Sequence, residues 1–369
     1  MKHVRFLMVG GFLGAGKTTA IARLARHYVA SGQNVGLVTN DQAYDLVDTQ
    51  SLRAQGFRVG EVPGACFCCK FNDLVETVAR LSGEQRPDII IAEPVGSCTD
   101  LVATVIEPLR QLHADRYEVG PLAVLLKPEH GRKILRRQEG VGFSPKAAYI
   151  FLKQLEEADV VAVNKIDKLS RAERSELAAL VRERFPDARV LAVSARTGDG
   201  FERLIGALDE SPATHRRSME VDYDVYAAGE AELGWLNCTV RLQEARGAPL
   251  EMDDLVLDLV ARLRTALLEQ GAEPAHLKVL AQADGETAIA NLVGSAANAE
   301  LSLASVIKTD ALEMIVNARV AIDPVALEQI VLKTIASLAQ DWRLSHTTSH
   351  MQRFRPGRPV PTYRMTSPL

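Results

Sequence analysis

Eight consecutive residues, Gly11-Phe12-Leu13-Gly14-Ala15-Gly16-Lys17-Thr18, have the types and spacing of a loop that holds phosphate. Glycines let the backbone turn tightly enough for successive amides to converge on an anion, and the start of a following helix adds partial positive charge. In that arrangement Gly11, Gly14, Ala15 and Gly16 present backbone to a polyphosphate, and Lys17 neutralises its β and γ groups. The Thr18 hydroxyl, with Thr19 beside it, meets a magnesium ion. The apolar run Val4–Val9 before the pattern and the helical period Thr18–Ala30 after it provide the context that separates this loop from an ordinary glycine-rich turn.

Two further segments address the base. Asn164-Lys165-Ile166-Asp167 follows an apolar strand, so the Asp167 carboxylate can accept from guanine N1–H and the exocyclic amine, groups that adenine lacks in that form. The Lys165 stem can cover the ring while Asn164 holds the loop. Ser194-Ala195-Arg196-Thr197-Gly198, after the next strand, offers a second base loop in which an amide near Ala195 donates to guanine O6. The pair of loops, in this order and each at a strand end, predicts GTP rather than ATP.

Catalysis needs a carboxylate near the γ-phosphate. In Asp88-Ile-Ile-Ile-Ala92-Glu93-Pro94-Val95-Gly96 a buried strand delivers Glu93 to the carboxyl edge of a sheet, where ligands sit in doubly wound folds. There Glu93 can join Thr18 at the magnesium or polarise the attacking water, and Gly96 permits close approach to the γ-phosphate. Asp41, just past the second strand, is the other candidate carboxylate. The plain alternatives are a helix cap for Glu93 and a turn residue for Asp41. Lys17, Asp41 and Glu93 are thus the expected catalytic set.

The chain has five cysteines, and three of them, Cys66, Cys68 and Cys69, fall within four positions. Adjacent thiols make strained disulfides, whereas thiolates suit a soft or borderline divalent ion such as zinc or cobalt. Three ligands leave a place for Cys98, Glu61, water or a second protomer, and an open site favours transfer over storage. A redox-active thiol pair and a purely structural zinc site are the competing readings. Because the cluster lies between Asp41 and Glu93, a change at the γ-phosphate can alter its geometry.

These residues need a frame. Strand-like runs at Val4–Val9, Val35–Thr39, Asp88–Ala92, Leu122–Leu126, Val160–Asn164 and Arg189–Val193 alternate with helical periods at Thr18–Ala30, Asn72–Leu81, Pro145–Glu157 and Ala172–Arg184. That alternation predicts an α/β fold, a P-loop NTPase with a doubly wound, mainly parallel sheet, over residues 1–208. A polar linker at 209–222 leads to a smaller C-terminal α+β domain at 223–342. Its strands are expected at Trp235–Leu242, Leu277–Ala283, Ala288–Val293 and Glu313–Ile322, and its helices at Met252–Gln270 and Pro324–Trp342. Residues 343–369, with five arginines, four prolines and no acid, read as a basic extended arm.

Composition bounds the rest. With 43 basic and 47 acidic residues the net charge is −4, which argues against a partner held by bulk charge, whether nucleic acid or membrane. Lys2 and Arg5 before an apolar stretch imitate a signal segment, but no cleavage site follows, and no run approaches the ~18–20 apolar residues of a membrane span. The expected location is the cytoplasm. His346 and His350 could share a metal if helical, though exposed polar residues are the commoner case; Arg132, Lys133, Arg136 and Arg137 read as a solvated helix face, and Cys238 as strand packing.

In this order, Gly10 to Thr19, Cys-x-Cys-Cys, Glu93-x-x-Gly96 and Asn-Lys-x-Asp resemble the CobW/HypB/UreG metallochaperone GTPases, the CobW branch most closely, over roughly residues 1–208. The resemblance implies a slow GTPase that binds zinc, cobalt or nickel at Cys66, Cys68 and Cys69 and delivers it to a client metalloenzyme or cobalamin-dependent enzyme. Oligomers up to a homodimer fit that role. Two departures stand out: Asn40-Asp41-Gln42-Ala43-Tyr44 keeps only the first part of the family's pattern after the second strand, and Lys127 follows a strand where an aspartate is expected. The C-terminal region is similar to a divergent branch associated with corrinoid-dependent methyltransferase systems, where the chain would be an accessory GTPase. A metal-buffering or client-holding module with GTP as a structural ligand is the non-catalytic alternative, and a small-molecule kinase is the third.

Overall fold

The structure is a computed structural model and describes residues 3–42, 47–83, 86–136, 144–210, 219–244, 249–292, 294 and 298–366. In chain order its first elements are β1 (Val4–Gly11), α1 (Lys17–Ala30), β2 (Val35–Asp41), α2 (Val47–Ala54), β3 (Val59–Pro63), α3 (Phe71–Leu81) and β4 (Ile89–Glu93). There follow α4 (Glu107–Leu112), β5 (Tyr117–Leu126), α5 (Pro128–Leu135), α6 (Pro145–Glu156), β6 (Val160–Val163), α7 (Arg171–Arg184), β7 (Arg189–Ala192), α8 (Phe201–Asp209) and α9 (Tyr223–Glu230). The chain divides into two compact units, one comprising residues 1–42, 56–229 and 358–369, the other 43–55 and 230–357.

The first unit is built on a seven-stranded sheet in the order β3-β2-β4-β1-β5-β6-β7, with every pairing parallel. β1, β2 and β4 are almost wholly buried, as continuous Val/Ile/Leu runs require when helices cover both faces. The carboxyl ends of all seven strands lie along one edge. β3 was not expected from sequence: at five residues, with Gly60 and Glu61 inside it, it lacks a strand-like apolar run. Gly60 is needed there, because a Cβ would lie 2.4 Å from Thr77 Cγ2 of α3.

The second unit continues with β8 (Gly234–Glu244), β9 (Leu250–Glu251), α10 (Met252–Glu269), β10 (Pro274–Ala283), β11 (Glu286–Leu292), β12 (Glu300–Leu303), β13 (Lys308–Thr309), β14 (Ala311–Val320), α11 (Pro324–Trp342) and β15 (Leu344–Phe354). Six of these strands form an antiparallel sheet in the order β12-β11-β10-β14-β8-β15. Leu255, Val256, Leu259, Val260 and Leu263 recur at helical spacing along α10. They pack with Leu327, Val331 and Ile335 of α11 on the alternate residues Leu236, Cys238, Val240 and Leu242 of β8. The expected α+β layer is therefore present, with Cys238 in its core, where burial pushes the thiol up to about 12.

Three boundaries differ from the sequence reading. Residues 344–354, expected within an extended arm, form β15, which pairs with β8 through its backbone; its exposed polar side chains concealed it. His346 and His350 are consequently exposed strand residues rather than helical neighbours. Helix α2, not expected as a helix and lying within the 1–208 span assigned to the first domain, belongs to the second unit, where Val47 packs with Leu280, Ile289 and Ile315 and Asp48 pairs with Lys278. Third, α9 up to Gly229 stays with the first unit because Gly229 lies against α6, with room for no Cβ beside the Lys146 carbonyl at 2.7 Å. Most of the expected linker, residues 211–218, lies outside the described residues, as does Arg137. Arg132 and Arg136 pair with Glu173 and Glu176 across the α5–α7 surface, in keeping with a solvated face.

Candidate functional site

The phosphate-binding sequence occupies the turn from β1 into α1. Gly11, Gly14 and Gly16 all have positive φ (136°, 71° and 92°), which an L side chain rarely adopts. A Cβ on Gly11 would come 2.5 Å from the Leu125 carbonyl, and one on Gly16 would come 2.6 Å from Asn164 Nδ2. Lys17 is buried and its Nζ donates to the Gly11 carbonyl at 3.0 Å, folding the side chain over the loop. Thr18 Oγ1 donates to Glu93 Oε1 at 3.1 Å, while Thr19 is exposed on the first turn of α1. A hydroxyl and a buried carboxylate in contact beside this loop are the hard oxygen donors that magnesium takes.

Gly96 closes the other side of the loop. A Cβ there would stand 2.7 Å from Leu13 Cδ2 and 3.1 Å from Lys17 Nζ. The buried side chain of Gln154, from α6, fixes this segment: its Nε2 donates to the Gly96 carbonyl at 3.0 Å and to the Cys98 carbonyl at 2.8 Å.

At the ends of β6 and β7 the two base loops are tied together. Asn164 Nδ2 donates to the Ala15 carbonyl at 2.7 Å, and its Oδ1 accepts from the Ala195 amide at 2.9 Å. Ser194 Oγ donates to Asp167 Oδ1 at 2.6 Å, so the exposed Asp167 carboxylate is held in place. Lys165 sits in the left-handed region at φ 59°. The Ala195 amide, expected as an O6 donor, is engaged by Asn164 here and serves to couple the loops. Arg23 of α1 clamps the second loop from below through the Ala195 and Arg196 carbonyls. Lys127, the departure after β5, is buried with its Nζ 3.3 Å from His130 Nε2.

The thiol cluster lies in the loop after β3 and is tied to the end of β2. Asn40, buried, donates through Nδ2 to the Val62 and Ala65 carbonyls at 2.7 Å each, and its Oδ1 accepts from the Phe67 amide at 2.8 Å. One side chain thus spans the whole approach to Cys66. Gly64, at φ 87°, makes the turn, and its amide donates to the Asp41 carbonyl. Asp41 is itself buried and caps the next amide, that of Gln42.

Cys66, Cys68 and Cys98 are buried, and Cys69 is half-buried. The Cys66 sulfur is hydrogen-bonded by Cys68, Cys98 and Gln42, the last at 3.4 Å, and these donors drive it well toward the thiolate. Cys68, the donor on the other side of the first of these bonds, is pushed up. The Cys68 and Cys69 sulfurs are 3.7 Å apart, close to the edge of about 3.8 Å expected between two thiolates in a tetrahedral site with Zn–S near 2.3 Å. Among the described residues no three His, Cys, Asp or Glu side chains stand already spaced as a complete metal cage. The donor chemistry suits a soft or borderline ion, and the side chains must rotate to embrace one.

Asn40, Gln42, Gln154 and Arg23 had no role in the sequence reading. Amide and guanidinium side chains that bond to distant carbonyls leave no local signature, although Asn40 sits in the part of the family's pattern that this chain keeps after the second strand.

A parallel sheet that ends in a phosphate loop, with two linked loops beyond β6 and β7, defines a P-loop nucleotide-binding protein. The sequence profile of the CobW/HypB/UreG nucleotide-binding domain matches residues 5–192, just over half of the chain, and the chain belongs to that family. It is 28% identical over 169 residues to "Zinc chaperone YeiR" of Escherichia coli, covering 44% of this chain and 46% of that protein. It is 25% identical over 264 residues to "Zinc chaperone CobW" of a Sinorhizobium species, covering 62% and 72%. With "Zinc-regulated GTPase metalloprotein activator 1" of Dictyostelium discoideum the identity is 22% over 223 residues, covering 50% and 44%. The chain thus spans about half the length of two of these three relatives. None of the helices among the described residues is long and apolar enough to cross a membrane.

One buried acid beside the site makes a pH-dependent contribution. Glu157 accepts from Thr99 Oγ1 at 3.3 Å and from the Val102 amide at 2.9 Å, just beyond Cys98. Burial raises its carboxyl from 4.5 to about 8, against the opposing pull of the Val102 amide. The folded chain therefore holds this proton more tightly than the unfolded chain does. The resulting stability is complete below about pH 4.5 and is lost as pH rises through 8. Glu157→Gln mimics the protonated acid, so relative to it the wild type is expected to lose roughly 3–5 kcal/mol between pH 5 and pH 8.5 in denaturant titrations. A difference independent of pH contradicts the buried proton.

Proposed function

We propose that this chain is a GTP-hydrolysing metallochaperone. It takes a divalent metal, zinc or cobalt foremost, at Cys66, Cys68 and Cys69, with Cys98 as a fourth sulfur. It passes that metal to, or uses it in maturing, a metal- or cobalamin-dependent client enzyme in the cytoplasm. The observation that carries the reading is the double hold on Cys66: Gln42 comes from the end of β2 and Cys98 from the loop after β4. Those two segments also carry Asp41 and Glu93, the second of which meets Thr18 at the phosphate loop. The similarity to zinc chaperones of Escherichia coli and Sinorhizobium supports the same reading.

Asp167 takes guanine through its N1–H and amino group, with Ser194 fixing the carboxylate. Lys17 releases the Gly11 carbonyl to lie against the β and γ phosphates. Glu93 orients the attacking water or the magnesium shell, and Gly96 brings its own amide up to the γ-phosphate. Magnesium, held by Thr18 and Glu93, would spread the negative charge of the phosphates. Water then forms a bond to the γ-phosphorus as the bond to the bridging oxygen breaks; the electron pair leaves with GDP and the proton with water or phosphate. Such transfer depends chiefly on positioning and charge, and turnover in the absence of a client is slow. Loss of the γ-phosphate removes what Gly96 was packed toward. Because Gln154 ties Gly96 to Cys98, the movement reaches the sulfur that holds Cys66.

Two outcomes are expected. Asp167→Asn should invert base selection, weakening GTP and favouring xanthosine triphosphate by roughly a hundredfold or more in competition binding, since the new amide donates where xanthine offers a carbonyl. Unchanged preference removes Asp167 from the base site. Replacing Cys66, Cys68 and Cys69 together by serine should abolish zinc uptake, measured by elemental analysis of the gel-filtered chain, while GTP binding persists. Unchanged metal stoichiometry refutes the thiol site.

A further inference from the structure

The last residues described do not trail away from the molecule. After β15 and the short stretch 355–357, residues 358–366 rejoin the first unit and lie across the two loops that bear its thiols. The Val360 amide donates to Cys69 Sγ at 3.3 Å. The Thr362 amide donates to the Cys68 carbonyl at 2.8 Å, and Thr362 Oγ1 to the Cys69 carbonyl at 3.0 Å. The Tyr363 ring meets Phe71, two residues beyond Cys69, edge to face at 5.3 Å. Arg364 Nε then donates to Asp100 Oδ2 at 2.8 Å, two residues beyond Cys98, and the Met365 amide to the Ala103 carbonyl at 2.8 Å. Asp100 is fully buried, adopts φ 65°, and also accepts from Tyr223 OH at 2.7 Å. It is a fixed anchor for the arginine.

Pro359 and Pro361 explain why this segment can do so. Prolines hold the backbone extended and remove competing donors, which leaves the amides of Val360 and Thr362 as the ones presented to the thiol loop. The Val360 side chain is 70% exposed, so this residue contributes its amide rather than apolar packing.

We propose that residues 358–366 are a working wall of the thiol site, a strap that positions Cys68 and Cys69 and must lift before a soft divalent cation can leave for an acceptor. The proposal rests on the metal-binding reading above. Val360 and Thr362 act as positioning residues: an amide donating to a metal-bound thiolate steadies the sulfur and draws off charge, much as hydrogen bonds to other metal ligands do. Arg364 holds the far end of the strap down.

The test compares Val360→Pro, which deletes one N–H in a segment already rich in proline, with Val360→Ala, which keeps it. The full-length chain is loaded with zinc and the rate of transfer to a chromophoric chelator is measured; cobalt loading reads the sulfur-to-metal charge-transfer band. Val360→Pro should release zinc about tenfold faster, the scale of one hydrogen bond to a charged group, and shift the cobalt band, while Val360→Ala behaves as the wild type. Arg364→Gln, which leaves the thiol loop itself unaltered, should also speed release and serves if the proline variant misfolds. Metal-loaded variants that match the wild type in rate and spectrum overturn the strap. If the wild type binds no metal, the metal reading fails instead. The strap is then judged by alkylation of Cys69 in the metal-free chain: faster modification in Val360→Pro than in Val360→Ala upholds it, and equal rates reject it.

Discussion

In a parallel sheet every strand delivers its carboxyl end to the same edge, and the order β3-β2-β4-β1 makes neighbours of three loops that are far apart in sequence. The phosphate loop leaves β1, the Glu93–Cys98 segment leaves β4, and Asn40-Asp41-Gln42 closes β2. Thr18 reaches Glu93 across the β1–β4 junction. Asn40 gathers the loop before Cys66 with three hydrogen bonds. Remove the adjacency of β2, β4 and β1, and the nucleotide residues and the thiols have no common framework.

Within that framework the segment after β4 has two ends with different chemistry. Gly96 lies close against the side-chain ends of Leu13 and Lys17, where a Cβ would come 2.7 Å from Leu13 Cδ2. Cys98, two residues on, is hydrogen-bonded to Cys66. A single amide side chain, that of Gln154, grips the carbonyls of both. A rigid, buried connection of this kind transmits a displacement instead of absorbing it, because close-packed interiors have discrete arrangements rather than soft ones.

Much of this was legible in the residues alone. Six of the seven strands of the first unit, the phosphate loop and the helices α10 and α11 of the second unit follow from apolar runs and helical spacing, and the expected strands mostly end within a few residues of those observed. What escaped has a common physical cause. β3 and β15 are held by backbone pairing and carry polar or small side chains, so their sequences show little alternation. Assigning α2 to the second unit depends on Val47 meeting Leu280, Ile289 and Ile315, contacts across more than two hundred residues. The role of the C-terminal residues rests on backbone amides, which no side-chain pattern betrays. Composition marked that segment as basic and proline-rich, whereas its prolines matter for the amides they leave unoccupied and one arginine for the buried aspartate it reaches.

On the function proposed above, the state of the nucleotide sets how tightly Cys66, Cys68 and Cys69 hold a divalent metal. The direct measurement is the rate of zinc release to a chelator from the full-length chain, first with a non-hydrolysable GTP analogue bound and then with GDP. Linkage through a packed element of this kind is worth about fivefold or more, so the two rates should differ by at least that factor, and Gln154→Ala should bring them together. Equal release rates in the two nucleotide states, with both nucleotides shown to be bound, would contradict the coupling.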